Sequence, residues 1–335
     1  MALKRQLLDL LNALVNPLHL RVLSSAEFTD IEGMFLPSNP AGPPPPQSAR
    51  DYLRLDNPRI AELRERYRNH PAAAHSHWDE HHLLAGFDLQ AFRRDSHYLW
   101  QGRWTKPETY LLTAFYLREH DSLGLLGRLT EDGLFGALTV PFENGYLLSR
   151  DLLDSINETN LMARWFDLKP ESAFTVLDIG SGYGRLAHRL LNALINATIT
   201  CVDAVPISTF LCEYYIRFRA LGQRAEVLAL DRAEDALAGR RFDLAANIHS
   251  FSECPCSAIE WWLECLDRVK VNNLLIVPND GGQLLSIEPD GTRRNFEPLL
   301  QRHRWQSSRQ EPIYLSDVVQ QHGLFPAGSF RLFTR

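Results

Sequence analysis

The spacing of hydrophobic residues differs between the two halves of the chain. Short apolar runs of β-forming residues occupy the second half and are typical of strands buried on both faces of a parallel sheet. They lie at 174–179, 197–202, 225–230, 242–248 and 273–277, and a last strand is predicted at 329–334. A segment of helical spacing at 186–195 follows the first run. This alternation predicts an α/β fold, a Rossmann-like doubly wound sheet with mainly parallel strands.

The first half of the chain has mainly helical periodicity. The clearest helical segments are 60–67, 106–120 and 123–129, and Ser149 is placed to cap a further helix that runs to about Phe166. Residues 37–46 are a proline-rich extended connection, and 141–145 are a predicted loop. We therefore predict a mainly helical cap at 1–148 and a nucleotide-binding domain at 149–335. An insertion at about 281–312 carries no strong helix and would form a second wall of the ligand pocket.

A glycine-rich turn follows the first predicted strand. Asp178 comes just before Gly180, Gly182 and Gly184, which occupy alternate positions ahead of a helix. A strand, a tight glycine turn and a helix form half of a nucleotide-binding unit, because glycine lets the backbone approach the ligand and adopt positive φ. The dinucleotide pattern needs its third glycine one residue later, where this chain has Arg185.

Acids follow the next two strands. Asp203 ends the second strand, close to the spacing of roughly 20 residues expected between a glycine turn and an acid that accepts both ribose hydroxyls. Asp231 ends the third strand, where an acid could meet the adenine edge of a nucleotide. The run 231–234 also fits a plain loop and helix start, so both interpretations of Asp231 stay open.

Residues 177–187 resemble motif I of the class I S-adenosylmethionine (SAM) methyltransferases. The segments 202–206, 213–215 and 247–253 extend the resemblance to the sugar O-methyltransferases of the NanM type, mostly within 145–280. The resemblance implies a seven-stranded sheet, S-adenosyl-L-methionine as cofactor and methyl transfer to a hydroxyl of a sugar or glycosylated small molecule. The residues expected to bind the cofactor are Asp178, Gly180, Ser181, Gly182, Tyr183, Gly184, Arg185, Asp203, Ala204, Asp231 and Asn247.

Three of these side chains have two interpretations each. Asp178 either orders the glycine loop or approaches the methionine ammonium of SAM. Tyr183 and Arg185 either contact the cofactor or cap the first helix.

Methyl transfer to a hydroxyl also needs a group that receives the proton. The loop after the fourth strand offers His249 and Glu253, and His249 is the first choice because an unperturbed imidazole has a pKa near neutrality. His303 in the insertion is a third candidate. Alternatively, His249 is a hydrogen-bonded loop residue and Glu253 only opens the helix at 257–266, where an acid is favourable without catalysis.

Composition and charge limit the classes of partner and the location that we expect for this protein. The 335 residues include 35 Lys and Arg and 41 Asp and Glu, a net charge of −6, with no long basic run, so nucleic acid is disfavoured as substrate. Five cysteines fit a reducing compartment, and 1–20 has the pattern of an amphipathic helix rather than a signal peptide. No apolar stretch is long enough to span a membrane. We expect a cytoplasmic protein, and a homodimer is left open.

A histidine-rich segment supports a different hypothesis. His77, Glu80 and His81 match the H-x-x-E-H pattern of inverted zinc peptidases, but no third ligand is identifiable, so we predict no metal. A zinc hydrolase remains an alternative. The others are methyl transfer to a non-sugar hydroxyl, amine or carboxylate, and a SAM-binding protein without catalysis.

Overall fold

A seven-stranded sheet forms the centre of the structure. The computed structural model describes residues 11, 42–73, 87–94, 98, 106–279, 281–325 and 328–335. The sheet strands are β3 (Thr175–Ile179), β4 (Thr198–Val202), β5 (Ala225–Leu228), β6 (Leu244–Ile248), β7 (Asn273–Val277), β8 (Gln306–Pro312) and β9 (Ser329–Thr334), and a separate hairpin pairs β1 (Val140–Pro141) with β2 (Leu147–Leu148). The order is β5-β4-β3-β6-β7-β9-β8. The strand β9 runs antiparallel to both of its neighbours, β7 and β8, and all other neighbouring pairs are parallel.

Helices cover both faces of this sheet. They are α1 (Gln47–Tyr52), α2 (Pro58–Tyr67), α3 (Pro107–His120), α4 (Arg150–Phe166), α5 (Arg185–Ala193), α6 (Pro206–Phe218), α7 (Ala233–Leu237), α8 (Cys256–Asp267), α9 (Glu297–Arg302) and α10 (Asp317–His322). Short 3₁₀ segments lie between several of them. None of the described helices is long and apolar enough to cross a membrane.

The strand order reverses at the middle of the sheet. From β3 the chain moves outward through β4 to β5, whereas β6 returns to the other side of β3 and leads outward to β7. A crevice opens at the carboxyl ends of the strands at such a switch point, and ligands of open α/β sheets bind there. A ligand site is therefore expected at the carboxyl ends of β3 and β6.

The doubly wound, mainly parallel seven-stranded sheet predicted above is confirmed. All six predicted strands are present. The four central ones, β3, β4, β6 and β7, are buried over nearly their whole length and so leave a continuous apolar signal. The cap of α4 is also confirmed, since Ser149 Oγ accepts a hydrogen bond of 3.0 Å from the Leu152 amide.

The helix predicted at 123–129 is wrong. Gly124 and Gly127 have φ of 62° and 115°, which a continuing helix cannot accommodate. The Asp121 carboxylate accepts a hydrogen bond of 2.6 Å from the Leu126 amide and so stabilises a turn. The leucines that produced helical spacing pack inward from this turn instead.

The insertion at 281–312 is more regular than predicted. It contains α9 and β8, the seventh strand of the sheet. The strand β8 lies at the sheet edge and most of its residues are exposed, so it has no apolar pattern that could reveal it. The predicted loop at 141–145 forms the connection of the β1–β2 hairpin and contains a short 3₁₀ segment, Glu143–Gly145.

Described parts of the N-terminal half share their cores with the sheet. In α2, the Tyr67 hydroxyl lies 3.0 Å from Thr209 Oγ1 of α6 and accepts from the Leu230 amide at 2.8 Å. The helix α3 packs against α4 and α10. Apolar residues of the two halves therefore form common clusters, and the division at 148/149 stays a prediction.

Candidate functional site

The turn between β3 and α5 requires glycine for two reasons. Gly180, Gly182 and Gly184 have φ of 74°, 55° and 87°, a region that other residues rarely adopt. A Cβ on Gly180 would lie 2.3 Å from Ser250 Cβ, and one on Gly184 would lie 3.0 Å from Cys212 Sγ. Backbone strain and close packing therefore both exclude side chains at these glycine positions. The turn presents backbone atoms to the crevice there.

Asp203 connects this turn to the end of β4. Its Oδ2 accepts a hydrogen bond of 2.8 Å from the Gly182 amide, and its Oδ1 accepts one of 2.8 Å from the Val205 amide. Burial raises the pKa of Asp203 to about 7, although both amides favour the charged form. Each carboxylate oxygen has a second lone pair, so Asp203 can still accept hydrogen bonds from a ligand.

Asp178 is a buried acid with one carboxylate oxygen that lacks a hydrogen bond among the described residues. Its residue exposure is 3%, and its Oδ2 has no hydrogen-bond partner among the described residues. Burial raises the pKa of Asp178, Arg185 opposes this increase, and the carboxylates of Asp203 and Glu158 add to it, so that the pKa is about 7. A buried unpaired carboxylate is costly, so a cationic ligand group at this position would be strongly favoured.

Two adjoining cavities form the cleft around the glycine turn. The first has about 620 Å³ of empty space and is lined by Tyr98, Gly180, Gly182, Asp203, Ala204, Val205, Ser208, Ile248, His249, Ser250, Glu253, Cys254 and Trp262. The second has about 410 Å³ and is lined by Tyr98, Asp178, Gly180, Ser181, Gly182, Tyr183, Arg185, Leu186, Ile248 and His249. Asp203 thus lies in the first cavity, and Asp178 in the second.

His249 and Glu253, the first two candidates for the proton acceptor, line the first cavity. His249 follows β6 with φ of 70°, its amide donates to Val277 O, and its ring contacts Phe325 at 4.9 Å between centroids. Burial and then the guanidinium groups of Arg185 and Arg150 lower the pKa of His249 to about 3, so the imidazole is neutral. Its Nδ1 has no partner among the described residues. Glu253 accepts a hydrogen bond of 3.0 Å from Asn279 Nδ2.

Three predicted cofactor residues have protein partners for their side chains. Asn247 lines neither cavity. Its side-chain Nδ2 donates to Ile179 O, and its Oδ1 accepts from the Phe251 backbone amide. These two hydrogen bonds join the end of β3 to the end of β6. Arg185 lies on the second cavity and forms two hydrogen bonds of 2.8 and 2.9 Å with Glu158. The Tyr183 hydroxyl donates to Asp151 Oδ2 at 2.6 Å.

Other predicted groups lie away from the cleft. Asp231 lines neither cavity and is paired with Arg66 at 2.8 Å. His303 also lines neither, and its Nδ1 lies 2.6 Å from Asp267 Oδ2. His77, Glu80 and His81 lie outside the described residues. Within the described part of the chain, no group of three His, Cys, Asp or Glu side chains could hold a metal ion.

The cleft also contains side chains that the sequence did not indicate. Tyr98 comes from the N-terminal half, and its hydroxyl lies 2.9 Å from Ser208 Oγ in the first turn of α6. Trp262 comes from α8. Ser208 had a signal, because it closely follows Asp203, whereas nothing local marks Tyr98.

The fold and this cleft define a Rossmann-like α/β protein with a nucleotide-type binding turn. No protein-family model matches the chain, and no curated protein matches it. It is similar to a SAM-dependent methyltransferase from Aquifex aeolicus, with 17% identity over 53% of this chain and 88% of that one and a TM-score of 0.39.

Two further solved structures are similar at the same low level. Magnesium protoporphyrin IX methyltransferase from Synechocystis PCC 6803, solved with bound SAM, has 13% identity over 56% of this chain and 82% of that one, with a TM-score of 0.39. The cyclase SpnF has 15% identity over 68% of this chain and 96% of that one, with a TM-score of 0.40. Similarities this low assign no reaction to the chain.

Proposed function

We propose that this protein is a SAM-dependent methyltransferase acting on a hydroxyl of a sugar or glycosylated small molecule. The observation that carries the proposal is the pair of buried acids beside the glycine turn. Asp178 offers an unpartnered oxygen in the second cavity, while Asp203 lies in the first with both oxygens held by backbone amides. A ligand that spans the two cavities must therefore satisfy a carboxylate at each end.

S-adenosyl-L-methionine fits these two acids better than a dinucleotide does. Its ammonium would pair with Asp178, and its two ribose hydroxyls would donate to Asp203. A dinucleotide would bring a negatively charged pyrophosphate to the same turn, beside both acids. Arg185 offers little compensation for such an anion, because it is already paired with Glu158.

When bound, SAM supplies a methyl group that its sulfonium has already activated. The chain must then hold an acceptor hydroxyl in line with that methyl and receive the hydroxyl proton. The neutral ring of His249 can accept a hydrogen bond at Nδ1, which suits it to orient the hydroxyl. Glu253 is the proposed proton acceptor, held by Asn279 on the same cavity.

The hydroxyl-bearing acceptor is supported by the chemistry of the first cavity. Ser250, His249 and Glu253 offer hydrogen-bonding groups suited to neutral hydroxyls, and Trp262 adds an apolar surface. The resemblance of 247–253 to the sugar O-methyltransferases supports a sugar in particular. The alternatives remain a non-sugar hydroxyl, amine or carboxylate, and a SAM-binding protein without catalysis.

Calorimetric titration with SAM tests the cofactor. Asp203→Ala should weaken binding by at least about tenfold, because it removes an acceptor of two hydrogen bonds that involve a charged group. Asp231→Ala is the matched control, since that acid lies outside the cleft. Folded wild-type protein that binds no SAM would overturn the proposal, as would equal losses in the two variants.

Turnover tests catalysis separately from binding. A screen of neutral glycosides with methyl-labelled SAM should find an acceptor, and Glu253→Gln should then lower kcat by roughly 10²–10⁴. The Kd for SAM should stay unchanged in that variant. Glu260→Gln, on the exposed side of α8, should leave kcat unchanged. SAM binding without transfer to any acceptor class would support the non-catalytic alternative.

A further inference from the structure

Tyr98 occupies the boundary between the two cavities. Its ring lies against the glycine turn, with Cδ1 only 3.0 Å from the position of a Cβ on Gly182. Its hydroxyl bonds to Ser208 at 2.9 Å, and its ring meets those of Tyr183 and Phe87 edge-on at 5.4 and 5.9 Å. These contacts from three sides hold an aromatic ring in the middle of the cleft.

The position of this ring matters because SAM carries its ribose, sulfonium and amino acid group in a fixed order along one chain. Its relevance rests on the proposed function, in which SAM is the bound ligand. Asp203 lines only the first cavity and Asp178 only the second. In SAM the sulfonium lies between the ribose and the amino acid group, so it must lie where the two cavities meet, against the wall of residues that line both. That shared wall consists of Tyr98, Gly180, Gly182, Ile248 and His249.

Among the described residues, the shared wall offers no charged side chain to a sulfonium. Two of its members are glycines, one is aliphatic, and His249 has a neutral ring. Among the side chains of this wall, Tyr98 therefore offers the main electrostatic attraction, because the face of an aromatic ring carries negative potential that attracts cations. The Ser208 contact fixes the ring without involving that face.

We propose that Tyr98 binds the cofactor's sulfonium through its ring face and so discriminates charged SAM from its neutral product, S-adenosylhomocysteine. Methyl transfer removes the positive charge from sulfur, and the attraction to the ring disappears with it. The ring thereby favours the incoming cofactor and the release of the spent one. A residue of the N-terminal half would thus set cofactor selectivity.

The test compares three ligands by calorimetry. These are SAM, neutral S-adenosylhomocysteine, and sinefungin, which has an ammonium in place of the sulfonium. Tyr98→Leu should weaken SAM and sinefungin by about tenfold relative to S-adenosylhomocysteine, the loss expected for a desolvated cation–π contact. Tyr98→Phe keeps the ring face and should retain the wild-type ratio. Ser208→Ala is the control for the hydroxyl contact and should also retain it.

Each outcome separates this inference from the proposed function. Wild-type protein that binds none of the three ligands would contradict the proposed function. Wild-type binding together with an equal loss of all three ligands in Tyr98→Leu would overturn the role of the ring and leave the cofactor assignment intact. If Tyr98→Leu fails to fold, Tyr98→Met, a flexible side chain of similar length, provides the same comparison.

Discussion

At the scale of single residues, the cleft keeps two acids in an unfavourable state. Asp178 and Asp203 are both buried, and burial raises the pKa of each to about 7. Their ionisation costs folding free energy, because the unfolded chain would ionise them near pH 4. Binding sites commonly hold such groups, since a cationic or hydrogen-bonding ligand recovers the cost.

Asp178→Asn should reveal this cost as a function of pH. The folded pKa of Asp178 lies above its unfolded value, so its contribution to stability is full below about pH 4 and falls as pH rises to about 7. The asparagine side chain does not ionise, so the variant keeps its stability as pH rises. The unfolding free energy of the variant minus that of the wild type should therefore increase by ~1–3 kcal/mol between pH 4 and 8. Urea unfolding at both pH values measures it.

The same variant should lose affinity for SAM, because the amide cannot pair with an ammonium as a charge. Asp243→Asn, at the opposite end of the sheet, provides the control for a general effect of removing a carboxylate. A pH-independent difference in stability would contradict the buried ionisation of Asp178.

At the scale of elements, a buried ion network joins the N-terminal half to the glycine turn. Arg93 donates to Glu131 at 2.6 Å and to Asp151 at 3.1 Å, and Arg189 of α5 donates to the same two acids at 2.8 and 2.6 Å. Burial alone would raise the pKa of Asp151, but Arg189 and Arg93 outweigh it and hold that pKa well below its usual range. Tyr183, in the turn, also donates to Asp151.

Removing one member should destabilise the protein strongly. Arg93→Met would leave two buried carboxylates with one guanidinium, a change that typically costs about 3–5 kcal/mol of unfolding free energy. Arg302→Met breaks an exposed pair with Glu260 and should cost at most about 1 kcal/mol. Urea unfolding at neutral pH compares them, and equal losses would show that the network adds nothing beyond a surface pair.

At the scale of the whole molecule, the two faces of the sheet carry two apolar clusters. One includes Ile60 and Leu63 of α2 together with Phe210 of α6, and the other includes Leu117 of α3 together with Leu190 of α5. The described N-terminal helices therefore complete both clusters rather than form a core of their own.

Shared cores predict cooperative unfolding. Thermal and urea unfolding should show coincident transitions by circular dichroism and tryptophan fluorescence, because α2 and α3 cannot detach without exposing apolar area of the sheet domain. Amides of α2 and of β3 should exchange with similar protection in native-state hydrogen exchange. Separate transitions for the two halves would instead support independent domains divided near 148/149.

The sequence by itself determined six of the seven sheet strands and their succession along the chain, the glycine turn and the acids that flank it. Parallel strands buried on both faces need continuous apolar runs, so they are visible locally. Positive φ and close approach restrict the turn to glycine, and Asp178 and Asp203 follow from the ends of their strands. These features depend on near neighbours in the chain.

Only the tertiary structure decided which side chains meet in the cleft. Tyr98 and Ser208 are 110 positions apart, and Arg66 and Asp231 are 165 apart, so no local pattern reports either contact. The exposed strand β8 has no apolar signal, and the pKa of His249 depends on burial and on charges from two other helices. Such features arise because packing brings distant residues together and removes them from water, which a local pattern does not record.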